Sequence, residues 1–242
     1  MAIRAGRNAS AHTRTAMSGY QTKKERITIE GVDDLVVRSL LDRQQFCDND
    51  GVAEKMGISS AGWSLFGLIW PSELRLAARL AERPLRSGER ILEVGCGLAV
   101  ASLVGHRAGA DVTASDRHPL TSDFLRENLR LNGLEPMKYL HGDWAVGGAD
   151  VDADRYDLII GSDLLYERDV EGDLARFVNR HAKPECEVWI VDPDRGNRPA
   201  FNRRMASEGF VLSEERLDAA ATAASPAYKG RLLVYDRKLG RH

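Results

Sequence analysis

The segment Ile91-Leu92-Glu93-Val94-Gly95-Cys96-Gly97-Leu98-Ala99-Val100 constrains this chain more than any other. A short apolar run ending at two closely spaced glycines reads as a buried strand, and the apolar residues beyond it read as a helix. That strand–turn–helix unit gathers backbone N–H groups and the positive end of a helix at one point, where glycine lets a ligand approach the backbone. The same alternation continues downstream. Strands are expected at 90–94, 111–115, 137–141, 156–161 and 187–192, with two more at 210–212 and 231–235.

Helices fill the intervals. One follows Gly97, one starts near Thr121 and stops at Gly133 with Phe124, Leu125, Asn128 and Leu129 on one side, one carries Leu174, Phe177 and Val178, and one carries Phe201 and Met205 ahead of Gly209. The expected fold is therefore α/β, a three-layer arrangement with a parallel sheet between helices. Upstream, Val36, Val37, Leu40 and Leu41 suggest an amphipathic helix, and Pro71 opens another that carries Leu76 and Leu80. These imply an N-terminal helical cap over 25–70 and a core over 71–242, together one domain. The alanine-rich connection containing Pro226 is expected to be a mobile loop.

Charge separates the first 24 residues from the rest. They hold Arg4, Arg7, Arg14, Lys23 and Lys24 and no acidic residue, so a disordered basic tail is expected over 1–24. Subtracting these five from the 34 basic groups leaves 29 against 36 acidic ones, a balance of -7 that gives no reason to expect a nucleic acid partner. No apolar run approaches the roughly 20 residues of a membrane span, and no secretory signal is recognisable. Three scattered cysteines, Cys47, Cys96 and Cys186, fit neither a disulfide framework nor a metal site, so a reducing cytoplasm and no metal are expected; separately, the chain is expected to be a monomer.

The carboxyl edge of the expected sheet collects the polar residues. Glu93 stands two positions before the first glycine, where it would repel a pyrophosphate, and Ala99 occupies the place of a dinucleotide fingerprint's third glycine. Both features disfavour a nicotinamide dinucleotide and suit a phosphate-free cation such as S-adenosylmethionine. Asp116 ends the second strand, 23 residues past Glu93, where a carboxylate accepts hydrogen bonds from ribose hydroxyls. Asp143 and Trp144 end the third and offer an acceptor beside a flat aromatic face suited to adenine, though a structural tryptophan is the alternative. Ser162-Asp163-Leu164-Leu165-Tyr166 closes the fourth, with Asp163 and Tyr166 as either a catalytic pair or a turn. His118 and His141 read as structural, and Asp192-Pro193-Asp194-Arg195 reads as a turn whose Arg195 is a further candidate for holding substrate. No Ser-His-Asp arrangement is recognisable.

Taken together, Trp70-Pro71-Ser72, the 91–98 segment, Asp116, Asp143-Trp144 and the 162–166 segment resemble the seven-β-strand protein-lysine methyltransferases of the nicotinamide N-methyltransferase-like group. The resemblance runs from about Trp63 to Asp192. It implies a Rossmann-like methyltransferase sheet binding S-adenosylmethionine and releasing S-adenosylhomocysteine. It also implies a cofactor site formed by Trp70, Glu93, Gly95, Cys96, Gly97, Asp116, Asp143, Trp144 and Ser162, with Asp163 and Tyr166 bordering the methyl acceptor. A protein side chain, lysine first, is the implied acceptor. A small-molecule N- or O-methyltransferase remains open, as does a cofactor-binding protein without turnover.

Overall fold

The computed structural model describes residues 19–144, 155–221 and 227–238. Seven strands form one sheet: β3 (Arg90–Val94), β4 (Asp111–Asp116), β5 (Lys138–His141), β6 (Tyr156–Ser162), β7 (Ala182–Asp192), β8 (Val211–Arg216) and β9 (Arg231–Arg237). Their order is β5-β4-β3-β6-β7-β9-β8. All neighbours run parallel except that β9 is antiparallel to both β7 and β8. Each strand overlaps its expected run, but β7 already starts at Ala182 and β8 continues through polar residues to Arg216.

Alternation of side chains along each strand sorts the core into two layers. Ile91, Leu158, Ile160, Trp189, Val191 and Leu232 pack with α3 (Pro71–Glu82), α4 (Val100–Arg107) and α5 (Thr121–Leu131). Their sequence neighbours Leu92, Ile159, Val188, Ile190 and Leu233 pack with α6 (Asp173–His181) and α7 (Arg198–Ser207) on the other face. Helices thus cover both faces.

The N-terminal cap departs from expectation. Val36, Val37 and Leu40 lie in a strand, β2 (Val32–Leu40), which pairs antiparallel with β1 (Thr22–Ile29) in a separate two-stranded sheet. Leu41 follows the strand, its N–H bonded to the Gln21 carbonyl at 2.9 Å. Spacing at i, i+1, i+4 and i+5 suits a helix, but burial in β2 alternates through Leu35, Val37 and Ser39, the period of a strand. The turn is made at Gly31, whose φ of +79° lies in the left-handed region that glycine adopts freely. The open edge of β2 is completed by α5: the Val36 N–H donates to Asn132 Oδ1 at 2.9 Å, and the Arg38 N–H to Asn128 Oδ1 at 2.8 Å. A helix side chain thus takes the place of a neighbouring strand. Thr22, Lys23 and Lys24 pair with Leu40, Ser39 and Arg38, so the boundary expected after residue 24 falls inside β1. Residues 1–18 and, within the connection expected to be mobile, residues 222–226 lie outside the described residues.

Short helices α1 (Val52–Lys55) and α2 (Ser60–Trp63) then lead through a 3-10 turn, Ser64–Gly67, to Trp70. Among the described residues no helix is long and apolar enough to cross a membrane.

Candidate active site

The loop between β3 and α4 rests on three left-handed residues: Gly95 at φ +61°, Gly97 at +51° and Ala99 at +60°. Gly97 needs glycine for reasons of space as well as torsion, Gly95 mainly for torsion. A Cβ on Gly97 would lie 2.9 Å from the Phe66 carbonyl oxygen, and one on Gly95 would lie 2.5 Å from Leu164 Cδ2 and 3.6 Å from Trp144 Cζ2. The loop is therefore clamped by protein on both sides, an origin for the glycine pair different from ligand approach alone. Ala99 keeps the conformation that a third glycine would supply freely, at a strain of about 1–2 kcal/mol, and opens α4 as its N-cap.

Buried carboxylates surround this loop. Asp116 Oδ2 accepts the Gly97 N–H at 2.9 Å and Oδ1 the His118 N–H at 2.8 Å. Glu93 is 1% exposed and its Oε2 accepts the Ser102 N–H at 2.8 Å as well as the Ser102 hydroxyl. Strand alternation explains this, since Glu93 shares the face of Ile91 and points under α4. Glu73, 3% exposed, accepts the Val100 N–H at 2.9 Å and so joins the start of α3 to the start of α4. Burial, with the negative charge of Glu93 added, pushes Glu73 up to about 8, while burial pushes Glu93 up to about 7. Burial also raises Asp116 and, strongly, the Cys96 thiol beside all three carboxylates. A cation brought here would be stabilised by returning these carboxyls to their charged form, and a phosphate would push them further toward protonation.

The other expected site residues meet the loop from neighbouring strand ends. Trp144 follows β5 and approaches Gly95, as the Cβ distance above shows, with Asp143 beside it in the same half-buried segment. Ser162 ends β6 in register with Val191. Trp70 caps α3 and its indole N–H donates to the Leu65 carbonyl at 3.0 Å. Its ring also lines a recess of about 270 Å³ beneath the hairpin, with Lys23, Glu25 and Leu41.

Asp163 and Tyr166 face different neighbours. Asp163 takes a left-handed φ of +59°, its N–H bonds the Val191 carbonyl at 2.9 Å, and its Oδ1 accepts Arg195 Nε at 2.7 Å and a second Arg195 nitrogen. Tyr166 turns the other way, toward Arg117 and Asp116, and stays 41% exposed. One residue of the motif faces β7 and the other faces β4.

Three contributors were not legible in the sequence. Glu73 sits three residues after Trp70 and resembles an ordinary helix-start glutamate, but its partner Val100 is 27 residues on. Tyr228, in the connection between β8 and β9, bonds Ser72 at 3.0 Å across 156 residues. Asp192 is fully buried, with Oδ2 accepting the Arg195 N–H at 2.8 Å and Oδ1 without a partner. His118 is structural, as read: it stacks on Phe66 at 3.7 Å, and burial pushes it down to about 3. Among the described residues no group of three His, Cys, Asp or Glu side chains could hold a metal ion.

A family profile described as lysine methyltransferase matches residues 59–207. The chain is 28% identical over 157 residues to the calmodulin-lysine N-methyltransferase of Arabidopsis thaliana, covering 60% of this chain and 52% of that one. It is 26% identical to the electron transfer flavoprotein beta subunit lysine methyltransferase of Xenopus laevis, covering 63% and 61%. The histone-arginine methyltransferase METTL23 of Xenopus laevis is 30% identical over 51% of this chain and 55% of its own length. The chain thus spans between 52% and 61% of these relatives. Among solved structures, a Thermus thermophilus 16S rRNA N2 G1207 methyltransferase, in complex with AdoMet and guanosine, aligns with a TM-score of 0.60 at 18% identity, over 90% of this chain and 51% of that one. A Synechocystis magnesium protoporphyrin IX methyltransferase aligns at 0.56 and 16% identity, over 80% and 99%. At these identities the structures speak for the fold.

Proposed function

The chain belongs to the lysine methyltransferase family, and from that premise we propose that it is an S-adenosylmethionine-dependent enzyme that N-methylates a protein side chain, lysine first. One observation carries this reading. The left-handed loop at Gly95 and Gly97 is fixed by Asp116 at 2.9 Å and ringed by the carboxylates of Glu73 and Glu93. Such a site fits a cationic nucleoside better than a dinucleotide: a cation is favoured because it draws the protons off Glu73 and Glu93, whereas a phosphate gains nothing from either group. Trp70, Gly95, Cys96, Gly97, Asp116, Asp143, Trp144 and Ser162 would hold the cofactor. Glu93, committed to Ser102, would act through its charge and through α4. When bound, the cofactor supplies an electrophilic methyl group on a sulfonium.

The protein's own task is alignment, because an in-line displacement needs donor and acceptor about 3 to 3.5 Å apart and correctly directed. A lysine must first lose a proton, which at pH 7 costs roughly 4 to 5 kcal/mol from an ordinary pKa of about 10.4. Asp163 and Tyr166 border the acceptor in this reading, Asp163 orienting it by hydrogen bonding and Tyr166 closing the ribose side next to Arg117. The three free cysteines suit a reducing cytoplasm.

The test is to incubate the protein with radiolabelled S-adenosylmethionine and a lysate of its host, then hydrolyse the labelled material to amino acids. Nε-methyl-lysine is the expected product. Methyl-arginine or methyl-histidine would keep protein methylation and change the residue, whereas label confined to small molecules would overturn the reading.

A further inference from the structure

We infer that Arg195 is a positioning residue for methyl transfer, one that cancels the charge of Asp163 so that the acceptor amine sits beside it neutral rather than as an ammonium. This rests on the reading above that the acceptor is an amine. A lone carboxylate at the acceptor position is chemically awkward. It stabilises the protonated amine, whose lone pair is then occupied and cannot attack a methyl group. The structure removes that difficulty within the chain. Arg195 directs Nε, at 2.7 Å, and a second guanidinium nitrogen onto the same oxygen of Asp163, Oδ1. Oδ2 is left to accept a hydrogen bond from an incoming N–H, and the adjacent guanidinium opposes a second positive charge.

Arg195 is held for this purpose from behind. Its N–H donates to Oδ2 of the fully buried Asp192, which ends β7, and this fixes the turn from which the guanidinium reaches back 32 residues to Asp163. Asp163 is itself pinned by its N–H to Val191 and by its left-handed backbone. The other groups that bear on this ion pair are Glu73 from α3, Tyr228 from the β8–β9 connection, and Asp192 with Arg198 from the β7–α7 side. Burial raises Glu73 to about 8, so it is largely protonated at neutral pH, and Tyr228 is uncharged. Arg198 is itself engaged by Asp194 at 2.6 Å. Arg195 is thus the cation that directly offsets Asp163. The amine gives its proton to bulk water. Its lone pair then forms the C–N bond as the C–S bond breaks, and the methylated ammonium sheds a further proton to water afterwards.

The experiment compares the full chain with Arg195→Gln and Arg195→Lys in single-turnover transfer of label from S-adenosylmethionine to lysate proteins, between pH 6.5 and 10. Melting temperature and cofactor affinity are measured on each variant. Arg195→Gln is expected to move the acid limb of the rate profile upward by about one pH unit. Transfer then falls about tenfold along the acid limb and the gap narrows only as pH passes the wild-type midpoint, while Arg195→Lys restores the wild-type profile. A loss with the acid limb's midpoint unmoved, or no loss, would overturn the inference and leave lysine methylation standing. Absence of methyl-lysine in the wild-type reaction would overturn the functional reading first, and this inference with it.

Discussion

Asp116 Oδ2 accepts the backbone N–H of Gly97 at 2.9 Å, so the tip of β4 ties down the loop that follows β3. Its other oxygen holds the His118 N–H at 2.8 Å. A residue chosen as a ribose ligand therefore also shapes the loop. Asp116→Ala removes both anchors and the remaining acceptor lone pairs, and S-adenosylmethionine affinity is expected to fall at least tenfold. Calorimetric titration of the folded variant is the measurement. An unchanged dissociation constant would remove Asp116 from the cofactor site.

Gly97→Ala combines two penalties at one position. The φ of +51° is strained for alanine, and the new Cβ would stand 2.9 Å from the Phe66 carbonyl oxygen, a backbone atom that cannot rotate away. A loss of about 2–3 kcal/mol is expected, read by urea denaturation. Gly95→Ala faces the flexible end of Leu164 and should lose less.

The central strands β3, β4 and β6 were legible because they are short, apolar and buried on both faces, whereas the edge strands β5 and β8 are largely exposed and β7 begins at Ala182, ahead of its apolar run. Val36, Val37, Leu40 and Leu41 misled because their spacing fits a helix as well as a strand. What decides between the two is pairing with β1 and edge completion by Asn128 and Asn132, some 90 residues downstream. The loop glycines, Asp116 and Trp144 were identifiable as a neighbourhood because each ends a strand. The commitments of Glu93 to Ser102, of Asp163 to Arg195 and of Ser72 to Tyr228 were not, since each depends on which face a side chain takes or on a distant partner.

The buried carboxylates set a pH dependence of stability. Glu73 at about 8 and Glu93 at about 7 hold protons in the folded state that the unfolded chain gives up above about 4.5. Stability therefore falls as pH rises from about 4.5 to about 8. His118, pushed down to about 3 from 6.5, works in the opposite direction below pH 6.5, so the window from 6.5 to 8 belongs to the carboxylates. Across it the protein without cofactor is expected to lose on the order of 1–2 kcal/mol. Glu73→Gln, which can still accept from Val100, should flatten that slope and raise the melting temperature at pH 8. Identical slopes for wild type and variant would show that Glu73 titrates normally.

The start of β1 is part of the fold. Tyr20 packs 5.6 Å from Trp63 and 6.1 Å from Phe124, and Thr22, Lys23 and Lys24 pair with β2. A chain beginning at Glu25 should melt several degrees below one beginning at Gly19, because it loses aromatic contacts and strand pairs worth about 2 kcal/mol together. Differential scanning calorimetry of the two truncations makes the comparison, and equal melting temperatures would mean that the strand's first half contributes nothing.

Asp163→Asn separates binding from transfer. Asparagine matches the shape of aspartate and tolerates its left-handed φ of +59° better than other residues, so the β6 turn should survive. The partly exposed Arg195 loses its partner, which for a pair at this exposure costs no more than about 1 kcal/mol. Cofactor affinity should stay within a few fold, because the loop carboxylates and Asp116 are untouched. Transfer should fall by two orders of magnitude or more. With the amide oxygen kept by Arg195, an N–H stands where the carboxylate oxygen faced the acceptor, and Arg195 is left as an uncompensated charge beside an amine that must dock there. Misplacement of the nucleophile by about 1 Å is enough for a hundredfold loss. A purely structural aspartate predicts the reverse pattern: a lower melting temperature with turnover per folded molecule preserved. Cofactor titration, melting temperature and single-turnover rate on the same preparation distinguish the two, and a near-wild-type rate would end the role assigned to Asp163 without touching the cofactor site.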